Sequence, residues 1–238
     1  MMVRIGLAPW SVNHYDGEVA SNIRARSTGA AANRAQWVTV LGERLCLDLV
    51  NSANWKGNTV VDEAFATPID VVDWAERARI LPRAAARRWR ARFRRDPDSA
   101  GTLVADVRAC RQALRLLFDA AMRNREPPVH ARTAINACLR GGKPGRLVTS
   151  GARLGYEPIG NAFGPWLLHR AATSAVELIV STDRAALECC PGVRCGWLFL
   201  DRTRGRTRRW CQMETCGNRA KARRHYQRER QPPGRIAR

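Results

Sequence analysis

The chain reads Cys190-Pro-Gly-Val-Arg-Cys195 and, fifteen residues later, Cys211-Gln-Met-Glu-Thr-Cys216. Both cysteine pairs have the spacing C-x4-C, so four thiols occur as two matched pairs. Four thiolates suit a closed tetrahedral Zn²⁺ site, in which the metal stabilises a fold too small to bury a sufficient core. The pattern therefore predicts a structural zinc site whose ligands are Cys190, Cys195, Cys211 and Cys216.

The cysteines also permit other interpretations. The four could be buried free thiols or two disulfides, and Cys189 lies next to Cys190 and could replace it as a ligand. Cys46, Cys110 and Cys138 occur singly within apolar patterns, which is typical of buried free thiols. Eight cysteines in 238 residues are too few for a disulfide scaffold. We therefore expect zinc in a reducing, cytoplasmic environment.

The residues around the two pairs predict a small β-hairpin and a helix. Gly196–Asp201 is an apolar run of strand length, Arg202–Thr207 contains a central glycine, and Arg208–Trp210 leads back to the second pair. From Asn218 to Arg230 the chain consists largely of helix formers without a breaker. The predicted order is knuckle, hairpin, knuckle and helix, an arrangement similar to a treble clef.

This region resembles the CGNR zinc-finger family. The family is named for the run that stands here as Cys216-Gly217-Asn218-Arg219, and the resemblance covers residues 190–224. It is supported by Trp197-Leu-Phe-Leu-Asp201, Arg208-Arg-Trp-Cys211, Met213 and Lys221. The resemblance implies a DNA-binding finger at the C-terminus of a bacterial transcription regulator.

An upstream segment resembles the ABATE domain, which is commonly found ahead of the CGNR finger in proposed stress-induced transcription regulators. The resemblance is carried by Leu45-Cys-Leu-Asp-Leu-Val-Asn-Ser52, by Ala66-Thr-Pro68 and by Trp74. It implies a sensor or dimerisation module, with a homodimer or an unknown small-molecule ligand as partners. Asp48 and Asn51 are polar residues in this apolar run, and we expect them to form structural hydrogen bonds rather than line a ligand pocket.

Several helices are predicted between these motifs. Thr67, Pro68 and Asp70 match an N-cap, a first-turn proline and a capping box, and this helix is expected to end near Leu81-Pro82. Residues 54–66 contain Gly57 and are interpreted as a loop. A small β-hairpin is predicted around Ser150-Gly151.

The chain is thus predicted to be mainly α, with a helical N-terminal domain that carries one small β-hairpin and a treble-clef-like zinc finger built of a β-hairpin plus a helix. The predicted segments are a loosely ordered arm at 1–36, a helical ABATE-like domain at 37–188, the CGNR-type finger at 189–230 and a flexible tail at 231–238.

The charge of the chain favours an anionic partner. The formal net charge is +20, and residues 190–238 contain 14 Lys and Arg against 3 Asp and Glu. Such a field attracts nucleic acid. No stretch approaches 18 apolar residues, so no membrane partner is expected. Motifs of the GxGxxG, P-loop and HExxH types are absent from the sequence, and we expect no enzymatic activity.

The expected partner is double-stranded DNA, with a nucleoid-associated location. Four hairpin arginines would grip phosphates and the helix would approach a groove; the residues concerned are Arg204, Arg206, Arg208, Arg209, Asn218, Arg219, Lys221, Arg223 and Arg224. Asn218 or Arg219 would contact base edges, although Asn218 could instead cap the helix. The alternative function is an RNA- or protein-binding zinc module with non-specific nucleic-acid affinity.

A second basic surface is also conceivable from the sequence. Residues 83–95 contain seven arginines, and Trp89 and Phe93 give this helix an apolar seam. The arginines would form either a further nucleic-acid surface or a solvated basic face. Trp197, Phe199 and Trp210 of the finger are expected to pack its small core rather than to stack on bases.

Overall fold

The computed structural model describes residues 40–150 and 153–230, so the predicted arm at 1–36 and tail at 231–238 lie outside the described residues. The helices are α1 (Leu45–Val50), α2 (Pro68–Arg77), α3 (Arg83–Arg95), α4 (Leu103–Met122), α5 (Val129–Arg140), α6 (Phe163–Val180) and α7 (Asn218–Glu229). The strands are β1 (Ala53–Lys56), β2 (Thr59–Glu63), β3 (Gly145–Ser150), β4 (Arg153–Pro158), β5 (Leu187–Cys189) and β6 (Leu198–Leu200).

The core lies among the helices of the N-terminal part. Its largest buried side chains come from α2, α4 and α6 and from the segment after β2, namely Trp74, Phe118, Trp166, Phe163 and Phe65. Apolar residues at helical spacing face one another across these helices, as the sequence predicts for α4 and α6. The mainly helical fold class is confirmed, and the predicted hairpin around residue 150 is present as β3 paired with β4.

The start of α2 follows the predicted capping box, but its end does not. Thr67 accepts a hydrogen bond from the Asp70 backbone, while the Asp70 carboxylate accepts one from the Thr67 backbone. The helix ends at Arg77 rather than near Leu81, because Arg79 adopts φ 58° and the Ile80 N–H bonds the Ala75 carbonyl. This is a Schellman-type end with arginine in the position usually taken by glycine, which explains why the sequence did not reveal it.

The loop predicted for residues 54–66 is wrong, since most of it forms the β1–β2 hairpin. Lys56 pairs with Thr59, so the connection is the two-residue turn Gly57-Asn58 with Gly57 at φ 60°. Gly-Asn between two short runs is a known hairpin signal. The buried Trp55 of β1 donates its indole N–H to the Val50 carbonyl and anchors the hairpin to α1.

Two arginines of α4 are buried and hold this hairpin in place. Arg111 is 1% exposed and bonds the Glu63 carboxylate and the Ser52 hydroxyl. Arg115 is 3% exposed and donates to the carbonyls of Gly57 and Gly196. A buried guanidinium is costly unless its donors are bonded, and both terminal nitrogens of Arg111 are bonded while its Nε has no partner within the described residues. Arg115 therefore joins α4, the β1–β2 hairpin and the C-terminal region.

The finger contains a small hairpin, but its position differs from the prediction. β6 pairs antiparallel with β5, which precedes the first cysteine pair, and residues 208–210 form no strand. Side chains from elsewhere already bond the other edge of β6: the Asn51 amide bonds both the N–H and the carbonyl of Leu198, each at 2.8 Å. The Glu43 carboxylate accepts from the Leu200 N–H at 2.6 Å, so no edge is left for a second strand.

Asp48 and Asn51 thus have the structural roles that the sequence predicts. The Asp48 carboxylate accepts hydrogen bonds from the backbone of Leu41 and Gly42 and is 5% exposed. Burial raises the pKa of Asp48 to about 6, although the two N–H donors act in the opposite direction.

No helix within residues 40–150 and 153–230 combines the length and the apolar composition that crossing a bilayer requires.

Replacing Asn51 should destabilise the junction of α1 and β6. Asn51→Ala leaves the buried N–H and carbonyl of Leu198 without partners, and each such group costs about 1–3 kcal/mol, so we expect a loss of about 3 kcal/mol. Denaturant unfolding of the zinc-saturated protein measures it. Asn136→Ala, at an exposed amide of α5 that forms no side-chain hydrogen bond within the described residues, is the matched control and should change the free energy of unfolding by less than about 0.5 kcal/mol. Equal effects of the two substitutions would contradict this role.

The raised pKa of Asp48 predicts a pH dependence of stability. The folded state holds the proton at a pH where the unfolded chain, with an ordinary pKa of 3.8, has lost it. This contribution to stability is therefore complete below about pH 4 and is lost as the pH rises through about 6, with a magnitude of about 3 kcal/mol. The difference in unfolding free energy between wild type and Asp48→Asn, measured from pH 4 to 7.5, should shift accordingly. A constant difference would refute the assignment.

Candidate metal centre and basic helix

Four thiols converge in the C-terminal region. The sulfurs of Cys190, Cys195, Cys211 and Cys216 all lie within 4.8 Å of one another, and all four side chains are buried. The Cys195–Cys211 and Cys211–Cys216 sulfur distances are 3.6 and 3.7 Å. A tetrahedron with Zn–S bonds of about 2.3 Å has sulfur–sulfur edges of about 3.8 Å. The cluster therefore has the size and the donor set of a four-thiolate zinc site.

The two glycines at the first cysteine pair, Gly192 and Gly196, lie so close to neighbouring atoms that a side chain would not fit without a shift. A Cβ on Gly192 would lie 3.0 Å from the Cys216 sulfur and 3.1 Å from the Cys195 Cβ. Gly196 has φ 63°, and a Cβ there would lie 2.6 Å from the Trp55 carbonyl oxygen. Glycine is needed at Gly196 for both its conformation and its contact with β1.

Cys190, Cys195 and Cys211 lie so close together that their thiols shift one another's pKa values. Hydrogen bonds from Cys195 and Cys211 lower the pKa of Cys190, whereas contact with Cys190 raises the pKa of both partners. Arg219 donates to the Cys216 sulfur at 3.1 Å, and this bond raises the pKa of the arginine. Four thiolates around Zn²⁺ carry a net charge of −2, and the Arg219 guanidinium offsets part of it.

Cys189 is directed away from the cluster. Its thiol contacts the Gly196 carbonyl at 3.6 Å, and Arg115 lies at 3.6 Å from its sulfur. Cys189 is the last residue of β5, and successive side chains of an extended chain point to opposite sides. The sequence left Cys189 and Cys190 as alternative ligands, and the geometry distinguishes them in favour of Cys190.

The finger is bonded to the helical part at several points. The backbone N–H of Trp55 in β1 donates to the Cys195 carbonyl at 2.9 Å, and Arg194 pairs with Asp62 of β2 at 2.8 Å. Asp183, just after α6, accepts from both Arg44 and Arg202. These contacts fix the thiol cluster against the β1–β2 hairpin, so the two parts share one framework.

The arginines predicted to grip phosphates divide into two groups. The predicted phosphate contact of Arg208 is not supported, because its guanidinium bonds Glu43 at 2.5 Å, bonds the carbonyls of Leu200, Trp210 and Cys211, and lies over the Phe199 ring. Arg206 is exposed but donates to the Ala185 carbonyl. Arg204 and Arg209 are exposed and make no side-chain hydrogen bond within the described part of the chain.

The aromatic residues of the finger pack as predicted. Trp197 and Phe199 are buried in a small cluster with the four cysteines, and Trp210 packs partly buried against it. Leu41 adds a further contact from the helical part. These side chains form the finger's core and are not free to stack on bases.

Helix α7 has no buried residue along its whole length. It begins directly after the turn that contains Cys216, and it carries Arg219, Lys221, Arg223, Arg224 and Arg228 against the single acid Glu229. A helix that is polar on every face gains nothing from packing within its own chain. The predicted groove residues Lys221, Arg223 and Arg224 are thus all exposed.

A cleft of about 750 Å³ separates α7 from the β1–β2 hairpin. Asn54 and Asp62 line it on the hairpin side, and Asn218, Arg219 and Ala222 line it on the helix side. Asn218 donates to the Glu214 carbonyl at 3.2 Å, one turn back along the chain, and does not cap α7, which is the role that the sequence left open. Neither of the two residues predicted to contact bases is therefore free of internal bonds.

Comparison with protein families agrees with this organisation. Residues 43–182 match the ABATE family, described as "Putative stress-induced transcription regulator", and residues 187–229 match the CGNR zinc finger. The chain belongs to the ABATE family. Both resemblances seen in the sequence are confirmed, in the predicted order, and the zinc finger coincides with the four-cysteine cluster. No curated protein matches the chain at a significant level.

Two adjacent cysteines allow a sharp test of the metal site. The wild-type protein should contain one zinc ion per chain, and Cys190→Ser should lose it because only three thiolates remain. Cys189→Ser is the matched control and should retain full zinc content, since its thiol lies outside the cluster. Elemental analysis and release of zinc to a chromogenic chelator measure both variants. Zinc loss in Cys189→Ser with retention in Cys190→Ser would reverse the assignment.

Proposed function

We propose that this ABATE-family protein is a bacterial transcription regulator that binds double-stranded DNA through its zinc finger. Cys190, Cys195, Cys211 and Cys216 hold a structural Zn²⁺, and with four protein ligands no position is left open for metal catalysis. Neither matching family is described as an enzyme. The observation that carries the proposal is the basic helix α7, which follows the metal centre and has no buried residue.

The charge of α7 suits the phosphate backbone of DNA. Lys221, Arg223, Arg224 and Arg228 are exposed, and a helix of this width fits the major groove. Arg204 and Arg209 extend the basic surface from the preceding loop. Phosphate contacts of this type position a protein on the duplex without specifying sequence.

Zinc has a positioning role in this proposal. Cys216 lies in the turn immediately before α7, and Gly217 packs so tightly that a Cβ would lie 2.3 Å from the Met213 sulfur. Binding of Cys216 to the metal fixes the first turn of a helix that has no buried residue. Loss of zinc therefore releases α7 from its orientation relative to the rest of the finger.

The helical part is proposed as the sensor or dimerisation module of a nucleoid-associated regulator. Asn51, Glu43 and Arg115 bond it to the finger, and these bonds would connect a change in the helical part to the DNA-binding surface. A homodimer and a small-molecule ligand stay predictions of the sequence, because no described contact concerns either one.

The DNA surface can be tested by the salt dependence of binding. Removing two phosphate contacts with Lys221→Gln/Arg223→Gln should make the negative slope of log K against log salt shallower by about 1.8, since each contact contributes about 0.9. Fluorescence anisotropy with a labelled mixed-sequence duplex measures the slope. Arg83→Gln/Arg87→Gln removes the same charge from exposed positions of α3 and should leave the slope nearly unchanged.

The control also decides between the two basic surfaces. An equal loss of slope in both variants would show that net charge alone determines binding, and a larger loss in the α3 variant would move the interface to that helix. Competition with single-stranded RNA tests the alternative function. Displacement of the duplex by RNA at equal concentration would contradict a DNA regulator.

A further inference from the structure

The two finger residues that sequence alone favours for base recognition are exposed, but both already form hydrogen bonds within the protein. Arg219 donates to the Cys216 sulfur at 3.1 Å, and Asn218 donates to the Glu214 carbonyl at 3.2 Å. Both side chains line the cleft beside the β1–β2 hairpin. A duplex that reached them would have to enter a space bordered by the Glu214 carboxylate, which repels phosphates, and by Asp62, which is paired with Arg194.

Helix α7 therefore has an inner face and an outer face. Asn218, Arg219 and Ala222 define the inner face because they line the cleft. An α-helix turns by about 100° per residue, so Tyr226 and Glu229 continue the same face. Ala222, Tyr226 and Glu229 indeed line one shallow depression along the helix. The only acid of α7 thus lies on the inner side.

The outer face is the basic one. By the same rotation Ala220, Arg224 and Gln227 lie about half a turn from Ala222, while Arg223 flanks them on one side and Lys221 and Arg228 on the other. Arg224 and Gln227 are exposed, and neither side chain forms a hydrogen bond within residues 40–150 and 153–230. Gln227 is a neutral amide in the middle of cationic neighbours.

This pattern matches the division of labour at a DNA groove. Flanking cations contact phosphates on the two sides of the groove, and central side chains reach base edges. Glutamine bonds adenine at N6 and N7, and arginine bonds guanine at O6 and N7. Arg224 and Gln227 are three residues apart, about 4.5 Å along the helix axis, which compares with about 3.4 Å between successive bases.

Resting on the proposed DNA-binding function, we infer that Gln227 and Arg224 determine sequence specificity. Gln227 reads an adenine in the major groove and Arg224 reads a guanine at a neighbouring base pair. Arg219 and Asn218 instead position α7 on the metal centre. The outer face of α7 enters the groove, while the inner face stays against the cleft.

Selection from a random duplex library tests this inference with the full zinc-loaded chain. The wild type should enrich a motif that contains an A·T pair next to a G·C pair. Gln227→Ala should lose the preference at the A·T position alone, by roughly 5- to 150-fold, and Arg224→Ala should lose it at the G·C position. Both positions are exposed, so zinc content and helicity should match the wild type.

Asn136→Ala, at an exposed amide of α5, is the matched control and should enrich the wild-type motif. An unchanged motif in Gln227→Ala and Arg224→Ala would overturn the inference and leave DNA binding intact, as would a changed motif in Asn218→Ala only. Duplex binding without any enriched motif would also overturn it. Failure of the wild type to bind duplex at all would refute the proposed function itself.

Discussion

The bonding of Asn51 to Leu198 is the contact on which the joined structure depends. One side-chain amide satisfies both backbone groups of a strand residue, 147 positions away in the chain, in a fully buried place. A side-chain amide carries one donor group and one acceptor, so it can take the place of the backbone N–H and carbonyl that a neighbouring strand would offer. This contact, together with Glu43, closes the outer edge of β6. A second strand cannot pair there, and the finger is built onto α1 instead of standing alone.

Several arginines likewise bond more than one group within the protein. In a chain with a net charge of +20, a simple reading assigns every arginine of the finger to DNA. The structure uses Arg115, Arg111 and Arg208 as multiple donors to buried carbonyls and carboxylates, and Arg219 as a partner of a cysteine sulfur. A guanidinium offers five donors in a fixed plane, which makes it suited to joining several backbone oxygens. Within the finger, the charge left for a polyanion is concentrated on the outer face of α7 and on the preceding loop.

The metal centre holds the start of α7, and the β1–β2 hairpin faces the helix across the cleft. The thiol cluster fixes the turn that contains Cys216, and the β1–β2 hairpin packs on Gly196 and lines the cleft beside the helix. A helix without buried residues has an orientation only if its first turn is held. The hairpin that packs on Gly196 therefore links the helical part to the metal centre from which α7 begins.

Several features could be predicted from residue type and spacing along the chain. These are the four-cysteine cluster, the capping box at Thr67, the helical stripes of α4 and α6, and both family resemblances. The pairing of β6, the orientation of Cys189, and the internal bonds of Arg208, Asn218 and Arg219 could be recognised only in the folded chain. Each of these depends on which donor meets a given acceptor, and those partners include groups far apart in the chain or on the opposite side of a strand. Residue type and spacing establish that a group needs a partner, and only the packed fold establishes which partner it has.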